Sequence, residues 1–94
     1  MRKIEEEMLE AIRKHRNFKR GNTRVRTGRN FSNVYLHGNH IAIITATTKK
    51  FNMCGWNSVT TRSRLNALGA NVCQRNFTPY HNGEAIDSTK WYKF

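Results

Sequence analysis

Residues 34–45, VYLHGNHIAIIT, decide the fold of this 94-residue chain. Two segments rich in β-branched and aromatic residues surround Gly38 and Asn39, a pair that suits a two-residue type II′ turn. We therefore predict a β-hairpin over about 33–47. Its register gives four facing pairs, namely Leu36 with Ile41, Val34 with Ile43, His37 with His40, and Tyr35 with Ala42.

The segment before the hairpin contains a helix and a strongly basic stretch. Apolar residues recur every four positions from Ile4 to Ile12, which predicts a helix over about 3–16. Residues 17–30 follow as a basic strand or loop. Within it the sequence TRVRT, residues 23–27, alternates with a period of two and places its two arginines on one exposed face.

The segment after the hairpin predicts a strand, a second helix and closing strands. The first strand covers about 51–55. The helix covers about 60–68, with Ser58 or Thr60 as N-cap and Gly69 at C′. The closing strands cover about 71–77 and 90–94 and are separated by the turn signals Pro79 and Asn82-Gly83. This order predicts a single small α+β domain. Its antiparallel sheet has four to six strands, with the N-terminal helix and the second short helix packed on one face.

The charge distribution indicates a polyanionic partner. Thirteen lysines and arginines, and no Asp or Glu, lie between Glu10 and Glu84, and the formal net charge is +11. Surfaces that need only solubility mix both signs, so a one-sign field is usually explained by what it attracts. Nucleic acid, either DNA or RNA, is the leading candidate, and an acidic protein surface is the alternative.

We predict that basic side chains hold phosphates and that one aromatic ring stacks on bases. The predicted residues are Lys19, Arg20, Arg24, Arg26, Arg29, Arg62 and Arg64 for phosphates and Tyr35 for stacking. Eight of the thirteen charges cluster from Arg13 to Arg29, so the hypothesis rests chiefly on that segment. Signatures of RNA-recognition and OB-type domains are absent, and we expect binding that is largely independent of sequence.

Catalytic and metal chemistry find little support. His37 and His40 could share acid and base duties in RNA cleavage, which keeps a small ribonuclease as one hypothesis. A catalytic mechanism with paired carboxylates is not supported, because the whole middle of the chain contains no Asp or Glu. Cys54 and Cys73 show no CxxC spacing, and the histidines supply too few ligands for zinc. We therefore expect a non-enzymatic protein with no metal and no cofactor.

Two motifs resemble a family of small uncharacterised proteins encoded by tailed bacteriophages. They are the LHGN hairpin sequence at 36–39 and a tryptophan, Trp56, followed by TTRSRLNAL at 60–68. The resemblance covers about the middle third of the chain and identifies no activity. It implies a phage origin and a place of action in the infected bacterial cytoplasm, with a role in early host takeover or DNA metabolism.

Three functions follow as hypotheses. The first is a nucleic-acid-binding protein, the second a phage effector that inhibits an acidic surface of a host bacterial protein, and the third the ribonuclease. No membrane partner is expected, because the longest apolar run, Ile41 to Ile44, is far shorter than the roughly 20 residues of a bilayer span.

Overall fold

The predicted hairpin forms the centre of a six-stranded antiparallel sheet in a computed structural model that describes residues Met1 to Phe94. The elements follow the order α1 (Lys3–Arg13), β1 (Phe18–Arg20), β2 (Thr23–Thr27), β3 (Phe31–Leu36), β4 (Asn39–Thr45), β5 (Lys49–Phe51), α2 (Val59–Ala67), β6 (Val72–Arg75), β7 (Thr78–His81), β8 (Glu84–Ala85) and β9 (Tyr92–Lys93). The main sheet has the strand order β1-β2-β3-β4-β5-β9, and β6-β7-β8 form a second sheet. The α+β prediction is confirmed.

The hairpin turn lies one residue earlier than predicted. His37 and Gly38 occupy its two loop positions with φ of 51° and 80°, the two positive values that a type I′ turn requires. The predicted facing pairs are therefore wrong, and His37 and His40 are not partners across the ladder. Ile41 is the extra residue of a β-bulge, which lets both it and Ala42 be buried. The observed pairs are Leu36 with Asn39, Tyr35 with His40, and Val34 with Ala42.

One face of the main sheet forms the core. A single row of paired residues crosses all six strands on this face, from Phe18 through Val25, Val34, Ala42 and Phe51 to Tyr92. Helix α1 covers β1 and β2, and α2 lies against β4, so Met8 and Leu65 join the same buried cluster. Burial of this apolar surface is the main term that holds the sheet and helices together.

Both helices end in Schellman motifs. In α1 the N–H of Arg16 bonds to the carbonyl of Ala11 at 2.8 Å, with His15 at φ 55°. This left-handed residue ends α1 three positions before the predicted boundary. In α2 Gly69 takes the same place with φ 97°, and the Ser58 Oγ accepts from the Thr61 N–H at 3.1 Å. Ser58 is thus the N-cap. Neither helix is long and apolar enough to cross a membrane.

The strands after the hairpin differ from the prediction in position and number. Strand β5 covers Lys49–Phe51 instead of about 51–55, β6 and β9 are shorter than the predicted 71–77 and 90–94, and β7 and β8 were not predicted. Strand β5 ends at Phe51 because the Asn52 side chain accepts the Cys54 N–H at 2.7 Å and turns the chain. In the second sheet, positive φ at Asn76 and Phe77 forms the turn before β7. Pro79 consequently lies in β7, paired with Gln74, and is not part of a turn.

A buried ion pair joins the two helices to the sheet. The Arg64 guanidinium donates to Glu5 at 2.7 Å and to the Thr23 Oγ1 at 3.0 Å, and it reaches the Asn22 Oδ1 at 3.4 Å. Burial alone raises the pKa of Glu5, but hydrogen bonds from Ser63 and Arg64 outweigh it and hold that pKa below its usual value. The pair therefore fixes the turn between β1 and β2 to both helices.

Candidate nucleic-acid interface

The face of the main sheet that points away from α1 and α2 is lined by two rows of paired side chains, and we call it the open face. The first row contains Lys19, Arg24, Tyr35 and His40, and the second contains Arg26, Asn33, Ile43, Lys50 and Lys93. Residues paired across strands share a face. These positions alternate along each strand with the core row, so the helices do not cover them.

The cations of the open face carry no ionic partner. Lys19, Arg24, Arg26, Lys50 and Lys93 are all exposed. The four ion pairs of the structure involve other basic residues, and no strand of the main sheet contains Asp or Glu. Five unpaired positive charges thus lie on one side of the sheet, an arrangement that attracts a polyanion.

A depression of about 400 Å³ indents one end of this face. Lys19, Arg24 and Arg26 line it on β1 and β2, Tyr35 lines it on β3, and His37 lines it from the hairpin turn. Gly21, Asn22 and Gly38 of the turns and Thr23 at the start of β2 complete its lining. Four of the eight residues predicted to bind nucleic acid therefore meet around one concave site.

Two further aromatic rings, those of His40 and Trp91, continue from Tyr35 toward the other edge of the sheet. The Tyr35 and His40 rings stack with centroids 4.9 Å apart and an interplanar angle of 22°. Trp91, which is 41% exposed, meets the His40 ring edge-on at 5.1 Å. Burial lowers the pKa of His40, and its Nε2 is buried without a hydrogen-bond partner. Both observations favour a neutral imidazole that serves as a packed aromatic spacer.

The other predicted residues lie elsewhere. Arg20 pairs with Glu7 on the helix side of the sheet. Arg29 is exposed in the connection between β2 and β3. Arg62 donates to the backbone and side chain of Asn57 at 2.9 and 2.6 Å and to Gln74 at 3.0 Å. Arg64 is 3% exposed and bound to Glu5, so it is not presented to a ligand and does not extend the basic surface.

Three residues on the open face were not predicted from the sequence. Lys50 and Lys93 are directly paired, although they are far apart in the chain. Each alternates with an aromatic core residue, Phe51 or Tyr92, and this period of two is the signal that could have indicated an outward position. Trp91 lies beside His40 because β9 joins the sheet at its edge.

The remaining titratable groups form no further site. His37 is exposed in the hairpin turn. The Cys54 thiol donates to the His40 carbonyl at 3.1 Å, and burial raises the pKa of that thiol, which keeps it protonated. Cys73 is exposed and free. No three His, Cys, Asp or Glu side chains come together as a group that could hold a metal ion.

A family model described as Kyanoviridae Gp96 protein matches residues 1–93. The chain belongs to this bacteriophage protein family. The Kyanoviridae Gp96 match spans both helices and all nine strands, including the basic segment and Trp91, which lie outside the motifs that first suggested a phage origin. No curated protein and no solved structure matches the chain.

Proposed function

We propose that this phage protein binds nucleic acid, largely independently of sequence and without catalysis, through the open face. The observation that carries the proposal is a sheet face with five exposed, unpaired cations on strands that contain no acid. Lys19, Arg24 and Arg26 supply the densest part of that charge. Long basic side chains on a flat face suit phosphates, which carry no sequence information.

The number of available cations sets the expected salt dependence. If about three to five phosphates are neutralised, log Kobs should fall with log [salt] with a slope of about −2.7 to −4.5 on duplex DNA. Affinity should then drop by about 40- to 500-fold between 50 and 200 mM salt. A protein without a phosphate site would show a shallow slope over this range.

Fluorescence anisotropy of labelled oligonucleotides over a salt series tests the proposal. We expect the variant R24A/R26A to bind more weakly than the parent and to lower the magnitude of the slope by about two. The matched control is R13A/K14A, which removes the same charge from α1, where both residues pair with Glu10. Its slope should equal that of the parent. Absence of binding at low salt, or equal effects of the two variants, would refute the proposal.

A second candidate is the inhibition of a host bacterial protein that presents an acidic surface. Trp56 and Val59 are 64% and 65% exposed, and Trp56 borders a half-apolar depression of about 520 Å³ with Leu36, Ile41 and Met53. Exposed apolar residues in a cluster often mark protein contacts. Pull-down from bacterial lysate decides between the two functions. A stoichiometric protein that survives nuclease treatment and moderate salt, and that is lost with R24A/R26A, would favour this candidate.

A further inference from the structure

We propose that the depression at the end of the open face seats one unpaired nucleotide, with its base against the Tyr35 ring and its phosphate on Lys19, Arg24 and Arg26. The preferred ligand is then single-stranded nucleic acid. This inference rests on the proposed function, because it names the class of nucleic acid that the same face selects.

The orientation of Tyr35 carries the argument. Its neighbour on β4, His40, stacks on one face of the ring at 4.9 Å. Because His40 lies on β4, we infer that the opposite face of the ring is turned toward β2, whose basic side chains line the same depression as Tyr35. Arg24 is paired with Tyr35 across the strands but makes no cation–π contact with it, since the two such contacts in the structure are Lys49 with Phe94 and Arg75 with Tyr80. Tyr35 is half-buried, and it borders a space of about 400 Å³.

The size and lining of the depression fit a nucleotide. Its volume lies within the range of roughly 300 to 1,000 Å³ that small-ligand sites occupy. Its lining combines one tyrosine ring with three unpaired cations, which matches a molecule that has both a planar base and an anion. Arg64 donates hydrogen bonds to Asn22 and Thr23 from the helix side of the sheet. The buried ion pair therefore fixes the position of these two residues of the site.

The same geometry disfavours a duplex. Bases inside a double helix are already stacked on both faces and cannot enter a depression to contact Tyr35. An unpaired base can do so, and stacking on an aromatic side chain tolerates any base because each has a π-face. A single strand thus gains both the aromatic and the ionic contacts, whereas a duplex gains only the ionic ones.

The decisive variant is Y35L, compared with Y35F on a single-stranded oligonucleotide and on a duplex of equal length. We expect the parent to bind the single strand more tightly than the duplex. Y35L should weaken single-strand binding by about 5- to 150-fold while leaving duplex binding and the salt slope unchanged. Y35F keeps the ring and should bind like the parent. Circular dichroism checks that Y35L remains folded.

A titration of the parent protein with AMP gives a readout that needs no variant. Amide chemical shifts should change most at residues 19–26 and 33–38, which surround the depression. Shifts that change elsewhere, or equal binding of single strand and duplex with no effect of Y35L, would overturn the inference and leave the proposed function standing. Failure of every oligonucleotide to bind would instead refute the proposed function. A polyglutamate peptide that binds as tightly as the oligonucleotide would indicate a site for acidic proteins and also overturn the inference.

Discussion

Replacement of Arg64 by methionine should destabilise the fold severely. Arg64 and Glu5 have side-chain exposures of 4% and 3% and lie 2.7 Å apart. Removal of one partner from a buried pair leaves an uncompensated charge, which costs about 3 to 5 kcal/mol. A domain of this length has a free energy of unfolding of about 5 to 14 kcal/mol, so R64M should lose a large share of it. The corresponding fall in Tm is about 12 to 40 °C.

Urea unfolding of E5M, R64M and E5M/R64M measures this coupling as a double-mutant cycle. The double variant should regain most of the lost stability, because two methionines can fill the site without a buried charge. Thr23 would keep its hydrogen bond to the Asn22 side chain at 2.8 Å. The matched control is R62M, made two residues away on the same helix. Arg62 bonds only to neutral partners at the surface, and its loss should cost about 1 kcal/mol.

Two outcomes would refute the reasoning. A loss below about 1 kcal/mol for R64M would mean that the pair is solvated, and additive effects in E5M/R64M would mean that the two residues are not coupled. The cycle also separates two roles for Arg64. If Arg64 contacted phosphates, the folded double variant would show a shallower salt slope, whereas a purely structural role leaves the slope unchanged.

Two further predictions concern stability. The pKa of Glu5 is lower in the folded state than its ordinary value of 4.5. The ion pair therefore stabilises the fold at pH values above 4.5, and this contribution is lost as the pH falls through the folded pKa of Glu5. Urea midpoints should fall less for E5M/R64M than for the parent between about pH 5 and pH 3, and parallel curves would contradict this. S58A should lower the free energy of unfolding by about 1 kcal/mol, because it removes the N-cap of α2, with S88A in the loop before β9 as a control that should change little.

The sequence was informative where local chemistry decides structure. Ser58 and Gly69 delimit α2 as expected, and the alternation of Arg24 and Arg26 with Val25 correctly indicates an exposed face. The hairpin was recognised, but its turn was placed one residue late because two consecutive residues, His37 and Gly38, adopt positive φ. A histidine in that conformation is uncommon, so the pattern favoured Gly38-Asn39.

The interface could be predicted only in part, because long-range pairing determines which charges share a face. Lys50 and Lys93 meet only when β9 joins β5, and no local pattern gives that pairing. The sequence predicted both Arg62 and Arg64 as phosphate contacts. The structure separates them, since Arg64 is directed at Glu5 on α1, 59 residues away in the chain.

The acids of α1 neutralise part of the basic charge on the helix side of the sheet. The span between Glu10 and Glu84 contains no acid, but acids of α1 lie close to some of its basic residues in the folded protein. Glu5, Glu7 and Glu10 pair with Arg64, Arg20, Arg13 and Lys14, so four of the thirteen basic residues are neutralised on the helix side. The acids cannot reach the open face, because the sheet lies between. The five cations of the open face therefore have no acid beside them, and this local separation from the acids, rather than the net charge, is the physical basis for expecting an anionic ligand there.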